Sequence, residues 1–506
     1  MGWKMTSLEM LGCIRKDGGN VLKEDEILKF IQEDKVSTKK NLASIGQKYY
    51  DADHDIMHYR MFYFNADGKL VEDTTRSNVK ISHPFFTELV DQAVQYMLSG
   101  ENGIIHSDIP ELQTRLDEYF DDDFICELND VLTGTMAKGF EYMYAYMNKD
   151  GKLSFECADS LGVVEVREKD TDDGCAYVIY WYVDKLTKEN KVIKRIQVWD
   201  ENQTTFYVQE EEGKLILDES EPINPRPHVI YKKDGDESIY YENFGFIPFF
   251  RLDNNKKQWS GLKPIKDLID DYDIMSCGLS NNLADFDYPL HVVKGFQGDN
   301  LDELQQNLKT KKMIGVDPEG GVEVHTIDIP YQARQAKMQE DEKNIYRFGM
   351  GFNSAQLGDG NVTNVVIKSR YALLDLKCNK LEIRMKQFLK KIVKVVIGEI
   401  NRIDGTDYQV TDVWFDFKRE VMTNAQDNAQ IELTDAQKQQ IQINIILSLQ
   451  GVLDDETIIQ TICEILDIDY EDIKDKLPED EEQDNQLAHS ILEGIVPEEG
   501  GEDIDE

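Results

Sequence analysis

Residues 262–286 read LKPIKDLIDDYDIMSCGLSNNLADF. Leu262, Ile265, Ile269, Tyr272, Leu279, Leu283 and Phe286 recur at steps of three and four, with Ser276 in the one vacant seam position. That spacing predicts a single helix of about 25 residues with an apolar packing seam. Lys263, Lys266, Asp267, Asp270, Asp273, Asn281 and Asp285 share the opposite face, which is expected to meet water.

Downstream, a small αβ insertion is expected over 287–328: a strand (YPLHVVKGF), a short helix (LDELQQNL), and two strands (KKMIGVD and GVEVHTID) about a turn at Pro318 to Gly321. A second helix is predicted over 330–348, so the insertion is flanked by two long helices, the pattern of a stalk with a tip. Residues 349–364 (GMGFNSAQLGDGNVTN) hold four glycines in a connection longer than most, which suits a functional or mobile loop. A third helix is predicted over 365–402. Between Val366 and Val395 it carries nine Lys or Arg (368, 370, 377, 380, 384, 386, 390, 391, 394) against Asp375 and Glu382, a local balance of +7. A strand in YQVTDVWFDFKRE and helical periodicity over 426–477, broken at Gly451, follow. The last 29 residues are dominated by Asp, Glu and Gly and are expected to be disordered.

Upstream, helical spacing covers 20–60 with Ile27, Phe30 and Ile31 as one stripe. A helix over 83–99 has Phe86, Leu89, Val90, Ala93 and Met97 inside, and further helices are predicted over 108–120 and 124–146. From 151 to 250 the period changes to two, with CAYVIYWYVD, KVIKRIQVWD and TTFYVQEEEGKLILD between turns, which predicts antiparallel sheet. Pro222, Pro225 and Pro227 mark a loop or sheet edge.

The chain has 506 residues, enough for about three packed units at roughly 150 residues each, and 41% hydrophobic residues to build their cores. Its 98 acidic against 56 basic side chains leave a net charge of -42. A protein that clamps nucleic acid neutralises phosphates with a basic excess, so any DNA contact here is expected to be local or repulsive. Seven cysteines, at 13, 126, 157, 175, 277, 378 and 463, form no CxxC pair and read as reduced thiols of a cytoplasmic protein. The longest apolar run, about seven residues from Tyr177 to Val183, falls far short of the roughly 20 a membrane helix needs. No signal-peptide apolar region follows Met1.

No constellation for chemistry emerges. His54 and His58 stand four apart, but Asp55 replaces the glutamate of HExxH and no third ligand is evident. Asp51, Asp53 and Asp55 mimic the start of a calcium loop, yet Ile56 and Phe62 occupy its obligatory Gly and Glu positions. Asp121 to Asp123 read as a solvated turn. The Met1-Gly2 and Thr6 match to a myristoylation pattern reads as chance. GxxxxGK[ST] and GxSxG are absent, and the glycines after 349 follow a helix instead of a strand. The expectation is a scaffold, a binding protein or part of an assembly, with no catalytic residue, metal or cofactor.

Residues 244–286 (FGFIPFFRLDNNKKQWSGLKPIKDLIDDYDIMSCGLSNNLADF) resemble the signature region of the phage portal family typified by Bacillus siphophages. Residues 78–100 resemble its wing helix and residues 364–394 its long helix, colinear over about 25–478. The resemblance implies an α+β, multi-region fold: wing (1–261 and 365–425), helical stem (262–286 and 329–348), αβ clip (287–328), tunnel loop (349–364), helical crown (426–478) and acidic tail (479–506). It implies a ring, typically a dodecamer, with an axial channel at one capsid vertex of the virion, assembled in the host cytoplasm and away from membranes. Double-stranded DNA would be packaged and ejected through it. The partners implied are the terminase large subunit, then the head-tail connector or adaptor, with the major capsid and scaffolding proteins. Gly349, Gly351, Asn353, Gly358, Gly360 and Asn361 would form the tunnel loop, its glycines permitting rearrangement as DNA passes. Lys377, Lys380, Arg384, Lys386, Lys390, Lys391 and Lys394 would touch either DNA or a neighbouring subunit, and the need to offset acidic repulsion favours the neighbour. The alternatives are a DNA-processing enzyme or motor component of a phage, and a portal-like protein of a defective prophage.

Overall fold

Strand β4 (Phe140–Met147) is where the layers meet, because residues on both of its faces are buried. Phe140, Tyr142 and Tyr144 enter one apolar cluster with Val163, Val178, Tyr180 and Trp199. Met143 and Ala145 enter another, made mostly of helix side chains. The two-residue period of a strand makes that partition. A doubly buried strand has no polar alternation, and this segment departs from the helix expected over 124–146. The helix there, α5 (Asp122–Lys138), stops at Gly139, whose φ of 97° is a left-handed cap. A Cβ at Gly139 would also lie 2.3 Å from the Gln258 carbonyl oxygen. At the other end, Asp121 accepts from the Phe124 amide, with Asp122 and Asp123 in the first turn. The acidic run is therefore a helix cap set against the positive end of the helix.

The computed structural model describes residues 22–74, 76–100, 103–148, 151–167, 175–186, 192–232, 239–286, 290–296, 300, 316–325, 330–353, 364–419, 437–449 and 455–466. Two units are distinguished: 1–359 with 368–421, and 360–367 with 422–506. In the first, β4 is the centre of an antiparallel sheet ordered β14-β4-β5, with β5 (Leu153–Ala158) and β14 (Phe249–Asp253). A larger antiparallel meander comprises β6 (Val163–Arg167), β7 (Cys175–Leu186), β8 (Val192–Trp199), β9 (Gln203–Glu210) and β10 (Ile216–Leu217). Strand β11 (Arg226–Pro227) also pairs with β9. Helix α1 (Glu24–Lys35) packs Ile27, Phe30 and Ile31 onto Val164, Ile179, Ile196 and Val198 of the meander. Two further strands, β12 (Val229–Lys232) and β13 (Ile239–Glu242), pair with each other.

Helix α2 (Thr38–Tyr50), capped by Ser37, sends the buried Lys40 amine to the carbonyls of Ser160 and Val163. Nearby, burial pushes Glu141 up to about 7, although the Lys138 ammonium beside it opposes the shift.

The helical layer contains α3 (Phe85–Met97), α4 (Pro110–Asp117), α5, α6 (Lys266–Phe286), α7 (Tyr331–Gly349) and α8 (Asn364–Asp404). Leu374, Cys378, Leu381, Met385, Phe388, Leu389, Ile392, Val396 and Ile400 run along the inner face of α8 and supply much of the main core. Strand β17 (Val413–Phe415) returns to pair with β3 (Ile105–Ser107). Strand β3 and a hairpin of β1 (Phe62–Phe64) and β2 (Leu70–Glu72), with every hairpin residue exposed, go beyond the elements expected from the sequence.

Helices α6 and α7 run antiparallel, since Lys337 of α7 meets Asp271 and Arg334 lies against Gly278 further along α6. The chain leaves α6 into β15 (Leu290–Phe296), which pairs with β16 (Val316–His325). Where two strands about a turn were expected, β16 is one strand. Its partners run from Phe296↔Val316 to Lys294↔Gly321, so the residues around Pro318 bulge out while both flanks keep the same neighbour. The short helix expected at LDELQQNL lies outside the described residues. In the second unit, α9 (437–447) and α10 (Asp455–Leu466) are helical, with Ile458 and Cys463 buried.

Phe388→Ala removes a buried ring at the midpoint of α8, and a loss of about 3–5 kcal/mol is expected in a guanidinium titration.

Candidate functional site

The face of α6 expected to meet water is instead where an extended segment docks. Asp273 Oδ1 accepts from the backbone amide (3.1 Å) and Nδ1 (2.7 Å) of His83. Cys277 Sγ accepts from the Ile81 amide at 3.2 Å. Asn281 Oδ1 accepts from the Val79 amide at 2.7 Å, and Asp285 Oδ1 from the amide and hydroxyl of Ser77 at 3.2 and 2.6 Å. Steps of four along a helix advance about 6.0 Å, and steps of two along an extended chain about 6.6 Å. The two periods therefore stay in register over 77–83 and 273–285, running in opposite directions.

Asp273 anchors this zipper. Its second oxygen is 2.6 Å from His54 Nδ1, and His54 and Asp273 have no exposure. Burial alone would raise the Asp273 pKa, but the hydrogen bonds and charges of His54 and His83 outweigh it and hold the carboxyl below its ordinary value. His54 also stacks on Tyr49 at 4.5 Å, while His58 turns to Asp53, so the two imidazoles do not converge on one point. Asp51 accepts from Gln47 and Asp55 pairs with Lys266, which separates the calcium-loop look-alikes as well.

The seam of 262–286 divides. Leu262, Ile265 and Ile269 are buried and Tyr272 packs against the core, edge-on to Phe85 at 4.9 Å. Beyond Tyr272 the inward positions are Asp273 and Cys277, Leu279 is half-buried, and Leu283 is 53% exposed. A strict seven-residue seam drifts around a straight helix by about 20° per heptad, so it needs a partner helix that coils with it. The distal half of α6 meets an extended backbone through the i+4 row instead. The Phe286 side chain lies outside the described residues. The helix itself begins at Lys266, after a turn closed by Leu262 and Ile265.

At the far end of α7, the base of the expected tunnel loop is pinned. Cβ atoms built on Gly349 and Gly351 would lie 2.5 and 2.3 Å from the Leu89 methyls. Neither glycine has a positive φ; Met350, between them, takes the left-handed cap at 58°. Their role is close approach to α3, which differs from the expected freedom to rearrange. The Gln92 amide brackets Phe352, donating to its carbonyl at 2.9 Å and accepting from its amide at 3.3 Å, and Asn353 donates to Glu342. Gly358, Gly360 and Asn361 lie outside the described residues.

Lys377, grouped with the cations expected to contact DNA or a neighbour, turns inward. Its amine donates to the carbonyls of Leu89 (3.2 Å) and Gly349 (3.3 Å), and burial lowers its pKa to about 8. Lys386 pairs with Glu382 at 2.7 Å. Lys380, Lys390, Lys391 and Lys394 are exposed, Arg384 is half-buried, and none of these five forms an ion pair with a described residue. No cluster of potential metal ligands occurs among the described residues, and no helix there is long and apolar enough to cross a membrane.

The chain matches the family model described as "Phage portal protein, SPP1 Gp6-like" over residues 29–486. It is 28% identical over 347 residues to the portal protein of Bacillus phage SPP1, covering 68% of this chain and 67% of that one. Identity with the portal protein of Clostridium phage phiCD119 is 24% over 408 residues, covering 76% and 84% respectively.

Two outcomes are expected. Asp273→Asn should cost about 3–5 kcal/mol, because it removes the charged partner of a buried, hydrogen-bonded group. A depressed carboxyl contributes stability that is full above its unfolded value, about 3.9, and is lost as pH falls through the lower folded value. The variant should therefore lose part of the steepness of acid unfolding below about pH 4, read by circular dichroism. Separately, Gly351→Ala should lower the thermal midpoint, and adding Leu89→Ala should recover part of the loss relative to Leu89→Ala alone, because it removes the colliding methyl.

Proposed function

The chain belongs to the SPP1 Gp6-like family of phage portal proteins, and from that premise we propose that it assembles as a ring around an axial channel through which double-stranded DNA enters the capsid and later leaves. The observation that carries the reading is the antiparallel α6/α7 pair with the β15/β16 sheet at its far end, within a chain that matches the family from residue 29 to residue 486. Repeated around an axis, such stalks would form a channel wall and their tips a docking collar. The terminase large subunit would dock there during packaging and the head-tail connector afterwards, with the major capsid and scaffolding proteins around the ring as a component of the virion.

The mechanism follows from charge. A duplex moving both ways needs a wall that does not hold it. Lysine-lined walls bind phosphates with salt-dependent affinity, whereas a chain of net charge -42 repels them. Guidance is then passive, and the force comes from an ATP-hydrolysing partner. The pinned base at Gly349 to Asn353 would hold the start of the channel loop while residues 354–364 meet the DNA.

Negative-stain images of the purified full chain are expected to show rings with a central hole. A chain that stays monomeric at high concentration would sink the proposal.

A further inference from the structure

A groove of about 780 Å³ runs along the outer face of α3, with Pro84, Phe85 and Tyr272 on its apolar side and Glu88, Asp91 and Glu342 among its polar lining. No Lys or Arg lines it. Asp91 accepts from the Tyr50 hydroxyl at 2.9 Å and Glu342 from the Asn353 amide, and neither forms an ion pair with a described residue. An acidic groove with an aromatic floor fits a segment that is apolar at its middle and basic at its ends.

This chain contains one. On the outer face of α8, Ile383 is 65% exposed, with Lys380 on one side and Lys390 and Lys391 on the other. These three lysines make no ion pair with a described residue, although acids outnumber bases by 98 to 56 in the chain. The two patches match in length: Lys380 to Lys391 and Pro84 to Gln95 are each eleven residues apart, about three turns or 16 Å along a helix. The two patches cannot meet within one copy. Helix α8 packs its inner face on the inner face of α3, where Lys377 reaches the Leu89 carbonyl and Cys378 faces that of Ala93. Both outer faces therefore point away from the shared core. Contact between two unlike surfaces of identical chains is head to tail, and repeated with closure it makes a ring.

We propose that the Lys380–Lys391 face of one copy lies in the groove beside Phe85 of the next, with Ile383 on the aromatic floor and the lysines against the groove's carboxylates. The inference rests on the ring reading and names its contact. Charge opposite charge also gives the head-to-tail order its specificity, since the reverse pairing sets like charges together.

The test is a charge exchange in the full chain, with ring population read by mass photometry. Lys390→Asp/Lys391→Asp, at exposed sites where folding is unaffected, should lower the ring population about tenfold or more, as should Asp91→Lys/Glu342→Lys. Mixing the two double variants should restore rings in which the two alternate, because each α8 face then meets a groove of opposite charge, and combining all four substitutions in one chain should return the population to within about threefold of wild type. Unchanged rings in the lysine variant, or a fourfold variant no better than its parents with native circular dichroism, would overturn the contact while leaving the ring reading intact. Intact rings with weakened binding of a double-stranded DNA fragment would assign the face to DNA and also overturn it. A wild-type chain without rings would remove the ring reading itself, and this contact with it.

Discussion

A carboxylate with no exposure is costly unless donors surround it, and Asp273 meets that condition by joining three parts of the chain. His54 approaches from the end of α2, His83 from the residues that open α3, and Asp273 itself belongs to α6. The separation along the chain is about two hundred residues, so the bridge forms only once the helical layer is assembled. Its position also sets the rest of the zipper. With His83 fixed on Asp273, the next donors along the extended segment fall opposite Cys277, Asn281 and Asp285 without adjustment. The exposed β1/β2 hairpin lies between the two histidines in sequence.

The elements that could be read from the sequence are those whose partner is generic. Helices α3, α7 and α8 show apolar stripes that any hydrophobic core would accept, and their observed bounds lie within two residues of the expected ones. The β-rich region between 151 and 250 showed its period for the same reason. What could not be read depends on a particular partner. Asp273, Asn281 and Asp285 look like solvated residues because polarity alone does not reveal that a backbone will donate to them. Strand β4 looks like a helix continuation because its second buried face removes the alternation that would have marked it. Gly349 and Gly351 suggest flexibility in sequence, and only the position of Leu89 shows that they permit contact.

The same distinction applies to the cations of α8. Nine basic residues in thirty appeared to be one surface, yet the helix distributes them by face. Lys377 is consumed by two carbonyls at the base of the loop and Lys386 by a carboxylate one turn away. A helix that must bury Phe388, Leu389 and Ile392 on one side has the opposite side for unpaired charge, and among the described residues the exposed Lys380, Lys390, Lys391 and Lys394 remain there with the half-buried Arg384.

In the proposed ring, that sorting bears on how an acidic chain could both assemble and leave DNA free. Long-range repulsion between subunits is screened within about 8–10 Å at ordinary ionic strength, so it sets a modest general cost, and short-range contacts decide association. A few lysines on an otherwise acidic surface suffice for such contacts provided they stand on a rigid element beside an apolar anchor. Helix α8 is that element, because its inner face is fixed along most of its length. In the proposed ring, placing the basic residues where a neighbour covers them would also remove them from the polyanion's path, so a single arrangement of charge would serve assembly and sliding together.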